Sequence, residues 1–143
     1  MKITFAQISF LGDSSGEQVY DMTTDDLSKL PIITEEDHKR LLKAVHLAFV
    51  GFPDLSFIYV NEDLLKENLN SFVEGQIVLA IEHMGMTYVL SRSILQKLNE
   101  AGEVESVEGD SFLSFGDNTI LEPTAITSKL LELSVEDTVF RSF

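Results

Sequence analysis

The stretch Gln76-Ile77-Val78-Leu79-Ala80-Ile81-Glu82 decides the fold that this sequence predicts. Its near-continuous apolar run is typical of a strand in the centre of a sheet. The next residues, His83-Met84-Gly85-Met86, fit a tight turn, and Thr87-Tyr88-Val89-Leu90 fits the return strand of a hairpin. The centre of the sheet is therefore predicted to be antiparallel.

On the N-terminal side, residues 3–11 alternate as in a strand, but with a slip near Ala6-Gln7. The slip indicates a β-bulge or a strand that is buried on both faces. We interpret the first residues as part of this strand rather than as a signal peptide. Residues 17–33 are acidic and weakly patterned, with a helical turn possible at residues 25–30.

The middle of the chain predicts two helices around one strand. Thr34 is a good N-cap residue followed by three acids, and Gly51 and Pro53 are expected to end that helix. Residues 55–60 are rich in β-branched and aromatic side chains, which favours a strand. Asn61 is then expected to cap a helix over residues 62–71.

On the C-terminal side, the spacing of Ile94, Leu95 and Leu98 predicts a helix that opens at Ser91 or Ser93 and closes at Gly102. Residues 104–107 are expected to form an edge strand and residues 111–115 another strand. A last helix is expected to begin near Pro123, which a first helical turn tolerates.

These elements predict an α+β fold with a mainly antiparallel or mixed sheet of about five strands and three to four helices packed on it. The sequence has no internal repeat, low-complexity segment or dividing linker. Residues 1–143 are therefore expected to form a single globular domain.

The formal net charge is −14, from 24 acidic and 10 basic residues. We expect no direct binding to nucleic acid and none to anionic membranes, because both depend on Lys and Arg side chains. The chain has no cysteine, which excludes disulfides and thiolate chemistry and suits a reducing compartment. We therefore expect a cytoplasmic protein.

The sequence offers no recognisable catalytic, metal or cofactor motif. His38 and His46 lie eight residues apart on one helix, or ~12 Å, which is too far for one metal ion. His46 borders the apolar stripe of that helix and is expected to pack there, while His83 belongs to the turn. The stripe consists of Leu41, Leu42, Val45, Ala48, Phe49 and Phe52, which recur at helical spacing. Glycine-rich phosphate loops and a nucleophile elbow are absent. We therefore expect a protein that is not an enzyme and uses no cofactor.

Acidic residues are concentrated after residue 97, where the sequence has ten acids and only two bases. Their charge could serve to recognise a basic protein, or merely keep an edge and a loop solvated. The candidate partner-binding residues are Glu100, Glu103, Glu105, Glu108 and Asp110, with Asp25 and Asp26 behind them.

Size, charge and the lack of motifs favour a small acidic binding protein that engages, and neutralises, a basic protein partner, as immunity proteins and inhibitors do. One alternative is a nucleic-acid mimic of the phage-inhibitor type. It would have to gather its acids, because spread over about 7,400 Å² they give one per ~300 Å², against one per ~100 Å² for duplex DNA. A structural or assembly subunit, with Phe140 and Phe143 against a neighbour, is the second alternative.

Overall fold

The computed structural model describes residues 2–13, 15–23 and 33–136. Within them the chain is α+β, as predicted, but the sheet has seven strands rather than about five, with three helices. The possible helical turn at residues 25–30 lies outside the described residues. The elements in chain order are β1 (Lys2–Ser9), β2 (Glu17–Asp21), α1 (Glu35–Val50), α2 (Glu62–Glu67), β3 (Val73–His83), β4 (Met86–Leu98), β5 (Val104–Glu108), β6 (Phe112–Phe115), β7 (Asn118–Ile120) and α3 (Pro123–Glu136).

The sheet is antiparallel in all of its described pairings, with the order β2-β1-β3-β4-β6-β7. Strand β4 is long enough, at 13 residues, to hold two partners on one side. Its first half pairs with β6, and its second half, Ile94 to Leu98, pairs with β5. Strands β2 and β7, which are five and three residues long, are the two that were not predicted from the sequence.

The predicted hairpin is confirmed, and both of its strands are longer than expected. β3 pairs with β4 from Val73 opposite Gln96 to His83 opposite Met86, which leaves Met84-Gly85 as a two-residue loop. Both loop residues have positive φ, 51° and 78°. This combination is what a type I′ turn requires, and its twist matches that of the flanking strands.

The helix predicted to run from Ser91 or Ser93 to Gly102 is wrong, because β4 continues to Leu98. Ile94 and Leu98 share a face at the period of a strand as well as at that of a helix, so spacing alone could not decide. Pairing with β3 on one side and β5 on the other decided for the strand. The buried polar residues of β4, above all Arg92 and Gln96, interrupt the alternation of apolar and polar residues that would indicate a strand.

The strand predicted at residues 55–60 is also wrong, since only Val60 makes a bridge, to Leu11. The buried side chain of Gln96 takes the place of a partner strand. Its Oε1 accepts hydrogen bonds from the backbone N–H groups of Tyr59 and Val60, at 2.8 and 2.9 Å. Its Nε2 donates to the carbonyl oxygen of Phe57 at 2.7 Å. The segment is thus bonded to the sheet without being a strand.

Two predicted details are confirmed with changed positions. The irregularity in β1 is a bulge, but it lies between Ile3 and Phe5 rather than near Ala6-Gln7. It brings Ile3, Ala6 and Ile8 onto the buried face. Asn61 caps α2 by accepting from the N–H of Leu64, yet the helix ends at Glu67 instead of residue 71.

The helices cover the sheet face that the buried residues of β3 form, while the other face is only partly buried. Thr34 caps α1 in a capping box with Asp37, and Gly51 follows its end at a φ of 80°, as the sequence predicts. The apolar stripe of α1 is buried or half-buried against the sheet except at Leu42, which is exposed. The buried residues of α1 are Leu41, Ala44, Val45 and Ala48.

No helix in the described part of the chain combines the length and the apolar character that a membrane span requires.

Arg92, which is 2% exposed, joins two helices from the middle of β4. Its Nε donates to the carbonyl oxygen of Ala48 at 2.9 Å, and its Nη2 donates to the Thr127 hydroxyl at 2.8 Å. The last turn of α1 contains no basic residue. Arg92 therefore supplies the cation that favours the negative end of the α1 macrodipole, and it ties that end to α3. Burial lowers the pKa of Arg92.

The start of α1 is tied to β2 and to the loop after β1 by charged side chains. The guanidinium of Arg40 forms a fork with the carboxylate of Asp13, with N···O distances of 3.0 and 3.3 Å. It also donates to Asp37 at 2.9 Å, and the Tyr20 hydroxyl donates to the same Asp37 oxygen at 2.8 Å. The hydrogen bond from Arg40 lowers the pKa of Asp13, and the one from Tyr20 lowers the pKa of Asp37.

Replacing Gln96 with Leu is expected to lower the free energy of unfolding by about 2–4 kcal/mol, because backbone groups at Phe57, Tyr59 and Val60 lose their partner. Urea unfolding followed by circular dichroism measures the change. Gln76→Leu is the matched control, since that half-buried amide donates only to the Ser91 hydroxyl. An equal loss in both variants would contradict the role assigned to Gln96.

Replacing Asp13 with Asn is expected to lower stability at pH 7 by about 0.2–1 kcal/mol, as for other exposed ion pairs. The pKa of Asp13 is lowered in the folded state, so its contribution is complete above the unfolded value of ~3.9 and is lost as the pH falls through the folded pKa. The difference between the variant and the parent should therefore disappear on acidification. Unfolding midpoints in urea from pH 7 to pH ~2 test this. Asp117→Asn, at an exposed turn and with no ion pair to a described residue, is the control and should leave the unfolding midpoint at pH 7 unchanged.

Candidate functional site

The five acids of the predicted partner site that are described, Glu100 to Asp110, lie on one hairpin formed by the second half of β4 and by β5. We call residues 94–110 the acidic hairpin. Its loop is held by Asn99, whose Oδ1 accepts from the N–H groups of Ala101 and Glu103, both at 2.9 Å. Gly102 completes the turn with a φ of 81°. The exposed acids are Glu100, Glu103, Glu105, Glu108 and Asp110.

Two of these acids have local partners. The register of the hairpin brings Glu105 opposite Lys97, and their Oε2 and Nζ atoms are 3.0 Å apart. Glu103 accepts a hydrogen bond from Asn99 Nδ2 at 3.3 Å. Lys97 also lies over the Phe72 ring, 4.8 Å from its centre. The hairpin therefore keeps most of its negative charge, since one exposed ion pair leaves the remaining carboxylates solvated.

The acids do not share one face of the sheet. Glu105 lies on the face away from the helices, together with Val107, because it pairs with Lys97. Glu108 pairs with buried Ile94 and so lies on the helix side. Its carboxylate is near enough to Arg92 to oppose the effect of burial on the pKa of that residue. The charge consequently surrounds the edge of the sheet on both faces.

The outer edge of β5 carries backbone groups that no described strand pairs. Asn99 donates to the carbonyl of Glu103, and Gly109 donates to the carbonyl of Ser93, so alternate residues between them face β4. In an antiparallel ladder the intervening residues direct their N–H and C=O groups outward. Those residues are Val104, Ser106 and Glu108. The acidic hairpin thus has a strand edge with donors and acceptors directed outward.

The remaining acids are distributed over other parts of the molecule. Asp25 and Asp26 lie outside the described residues, so their relation to the hairpin stays a prediction. Glu17 and Asp21 are on β2, which forms the opposite end of the sheet order. The first turn of α1 contributes Glu35, Glu36 and Asp37.

Among the described residues, no group of three or more His, Asp or Glu side chains could hold a metal ion. The three histidines differ in environment: His38 is half-buried, His83 is buried and His46 is exposed. His46 was expected to pack in the apolar stripe of α1, and that prediction is wrong. It lies one position outside the buried row, next to Val45, which is 3% exposed.

Sequence reasoning missed a second surface, a groove of about 740 Å³ along α1. It lies between one flank of α1, the loop after β1 and the segment 57–59. We call it the helix groove. Its signal in the sequence is a set of basic residues on α1 at helical spacing. The basic residues that line it are Lys39, Arg40, Lys43 and His46.

Comparison of the chain with known protein families and with curated proteins found no match.

Proposed function

We propose that this protein is a non-enzymatic binding protein that engages and neutralises a basic protein through the acidic hairpin. The observation that supports this most directly is the combination of exposed acids on both faces of β5 with outward-directed backbone groups at its edge. A cytoplasmic location belongs to the same proposal. The physical type is that of an immunity protein or an inhibitor.

A partner strand added to this edge would meet carboxylates above and below it. Side chains of a strand alternate between the two faces of a sheet, so a basic strand presents charge to both. Glu105 on one face and Glu108 on the other offer that arrangement. Backbone hydrogen bonds would supply affinity, and the charges would select a basic sequence and speed its association.

The same charge disfavours pairing between copies of this chain. Exposed strand edges tend to join, and charged side chains on them are a common means of preventing it. Two acidic hairpins would repel each other, whereas a basic strand would be attracted. A selective edge of this kind suits a neutralising protein better than an assembly subunit.

The two alternatives have less support. The chain has 8305 Å² of accessible surface and 24 acids, or about one per 350 Å², against one per ~100 Å² on duplex DNA. Acids at both ends of the sheet also disfavour a single DNA-like face. The assembly hypothesis depends on Phe140 and Phe143, which lie outside the described residues.

The test compares two variants of equal net charge in binding a basic partner captured from the source cells at low salt. One variant is E100Q/E103Q/E105Q/E108Q/D110N, and the control is E17Q/E62Q/E67Q/E74Q/E82Q. The hairpin variant should bind about tenfold or more weakly, because five exposed charge contacts at ~0.3 kcal/mol each give that ratio. The control should retain most of the affinity. Calorimetry at low salt and at 0.5 M salt measures both.

Three results count against the proposal: no basic partner, binding that is insensitive to salt, or equal losses in the two variants. Val104→Pro separates strand addition from simple charge attraction, because it removes an outward N–H without changing the charge. Proline is tolerated at the first residue of a strand, and its urea midpoint shows whether the fold is kept. Undiminished binding by V104P would leave charge attraction alone.

A further inference from the structure

We propose that the helix groove binds a small organic carboxylate with an apolar chain or ring. This site is separate from the acidic hairpin, and the inference does not depend on the function proposed above. Its basis is an apolar groove of small-molecule size whose rim is cationic, on a protein whose net charge is −14.

The size and lining of the groove suit a small molecule. Its volume of about 740 Å³ lies within the ~300–1,000 Å³ that is usual for ligand sites. Ile8 and Leu11 line it from the sheet side, and Leu47 lines it from α1. Phe57 also lines it and is 60% exposed, so its ring is accessible to a ligand.

The wall opposite α1 is held in place by hydrogen bonds. The N–H of Gly12 donates to the carbonyl of Tyr59 at 2.9 Å, and Asn61 Nδ2 donates to the carbonyl of Gly12 at 3.0 Å. The rings of Phe57 and Tyr59 are 5.2 Å apart. A groove with fixed walls loses little conformational entropy when it takes up a ligand.

The rim of the groove provides three cations that differ in their partners, and Lys43 is near enough to Asp13 to help lower the pKa of that carboxyl. Arg40 is already bonded to Asp13, Asp37 and Tyr20. Lys39 and Lys43, in contrast, form no ion pair with a described residue. Both line the groove one helical turn apart, so a single carboxylate could contact the two ammonium groups.

The overall charge of the protein favours a cationic ligand, whereas the local charge of the groove favours an anionic one. The net charge of −14 would attract a cationic amphiphile to any apolar patch. Charges beyond ~8 Å are largely screened at physiological salt, so the groove is governed by its own rim. The side chains that line it include three cations, Lys39, Arg40 and Lys43, against two carboxylates, Asp13 and Glu36. A preference for anions at this site would therefore be specific.

The experiment titrates the intact protein with dodecanoate, dodecanol and dodecyltrimethylammonium, using calorimetry and backbone amide NMR shifts. The two ions are kept below their micelle concentrations, and the alcohol is kept below its solubility limit. Dodecanoate should bind most tightly of the three and shift the amides of α1 and of residues 57–59. K39Q/K43Q should weaken dodecanoate binding about threefold, as the loss of two exposed charge contacts at ~0.3 kcal/mol each implies, and should leave dodecanol unaffected. K66Q/K97Q carries the same charge change outside the groove and should retain the affinity of the parent.

Phe57→Ser provides a second test that does not threaten the fold, because this exposed ring can be removed while its backbone bond to Gln96 remains. It should weaken dodecanoate and dodecanol alike. The five-acid hairpin variant should leave dodecanoate binding unchanged, which keeps the two proposals distinguishable. The inference is overturned by a preference for the cation or the alcohol, by equal losses in the two lysine variants, or by shifts away from α1.

Discussion

The carboxamide of Gln96 makes four hydrogen bonds to two separate parts of the chain, and both candidate surfaces depend on them. Toward the helix groove it holds the backbone of residues 57–60. Toward the acidic hairpin its Nε2 donates to the Ser106 hydroxyl at 2.8 Å. Because the Gln96 amide is fully buried, any displacement of the segments bonded to it would leave polar groups unpaired in the core. One residue of β4 therefore fixes the position of the 57–60 segment and of β5.

The fold was predictable where the hydrophobic periodicity and the turn or capping residues indicated the same element. The β3–β4 hairpin and the capped helix α1 are of that kind. The part of β4 from Arg92 onward was not predictable, because two of its core positions are occupied by Arg92 and Gln96, and residues of these types are mostly found at the surface. Their burial depends on partners far along the chain, such as Ala48 and Val60, which no local pattern reveals. The same long-range bonds explain why residues 55–60 resemble a strand without being one.

The candidate site was predictable in composition but not in arrangement. A count along the chain located the acids of residues 100–110, yet only the pairing of β5 with β4 separates Glu105 from Glu108 onto opposite faces. The basic residues of α1 were equally visible in the sequence. Their meaning depends on a wall that comes from residues 11–13 and 57–59, more than ten positions away on either side. Counting charges along the sequence thus detects the acidic hairpin but does not detect the helix groove.

The two-residue loop at Met84-Gly85 also bears on the order in which the chain folds. It brings together β3 and β4, whose eleven residue pairs are the most local of the long ladders. Closing so short a loop costs little entropy, and hairpins of this kind form in ~1–10 μs. The bonds of Gln96 to residues 57–60 span a separation of 36 to 39 residues and must await a larger closure. We therefore expect the hairpin to act as an early template, with Gln96 free to bond water until the 57–60 segment arrives and completes the core.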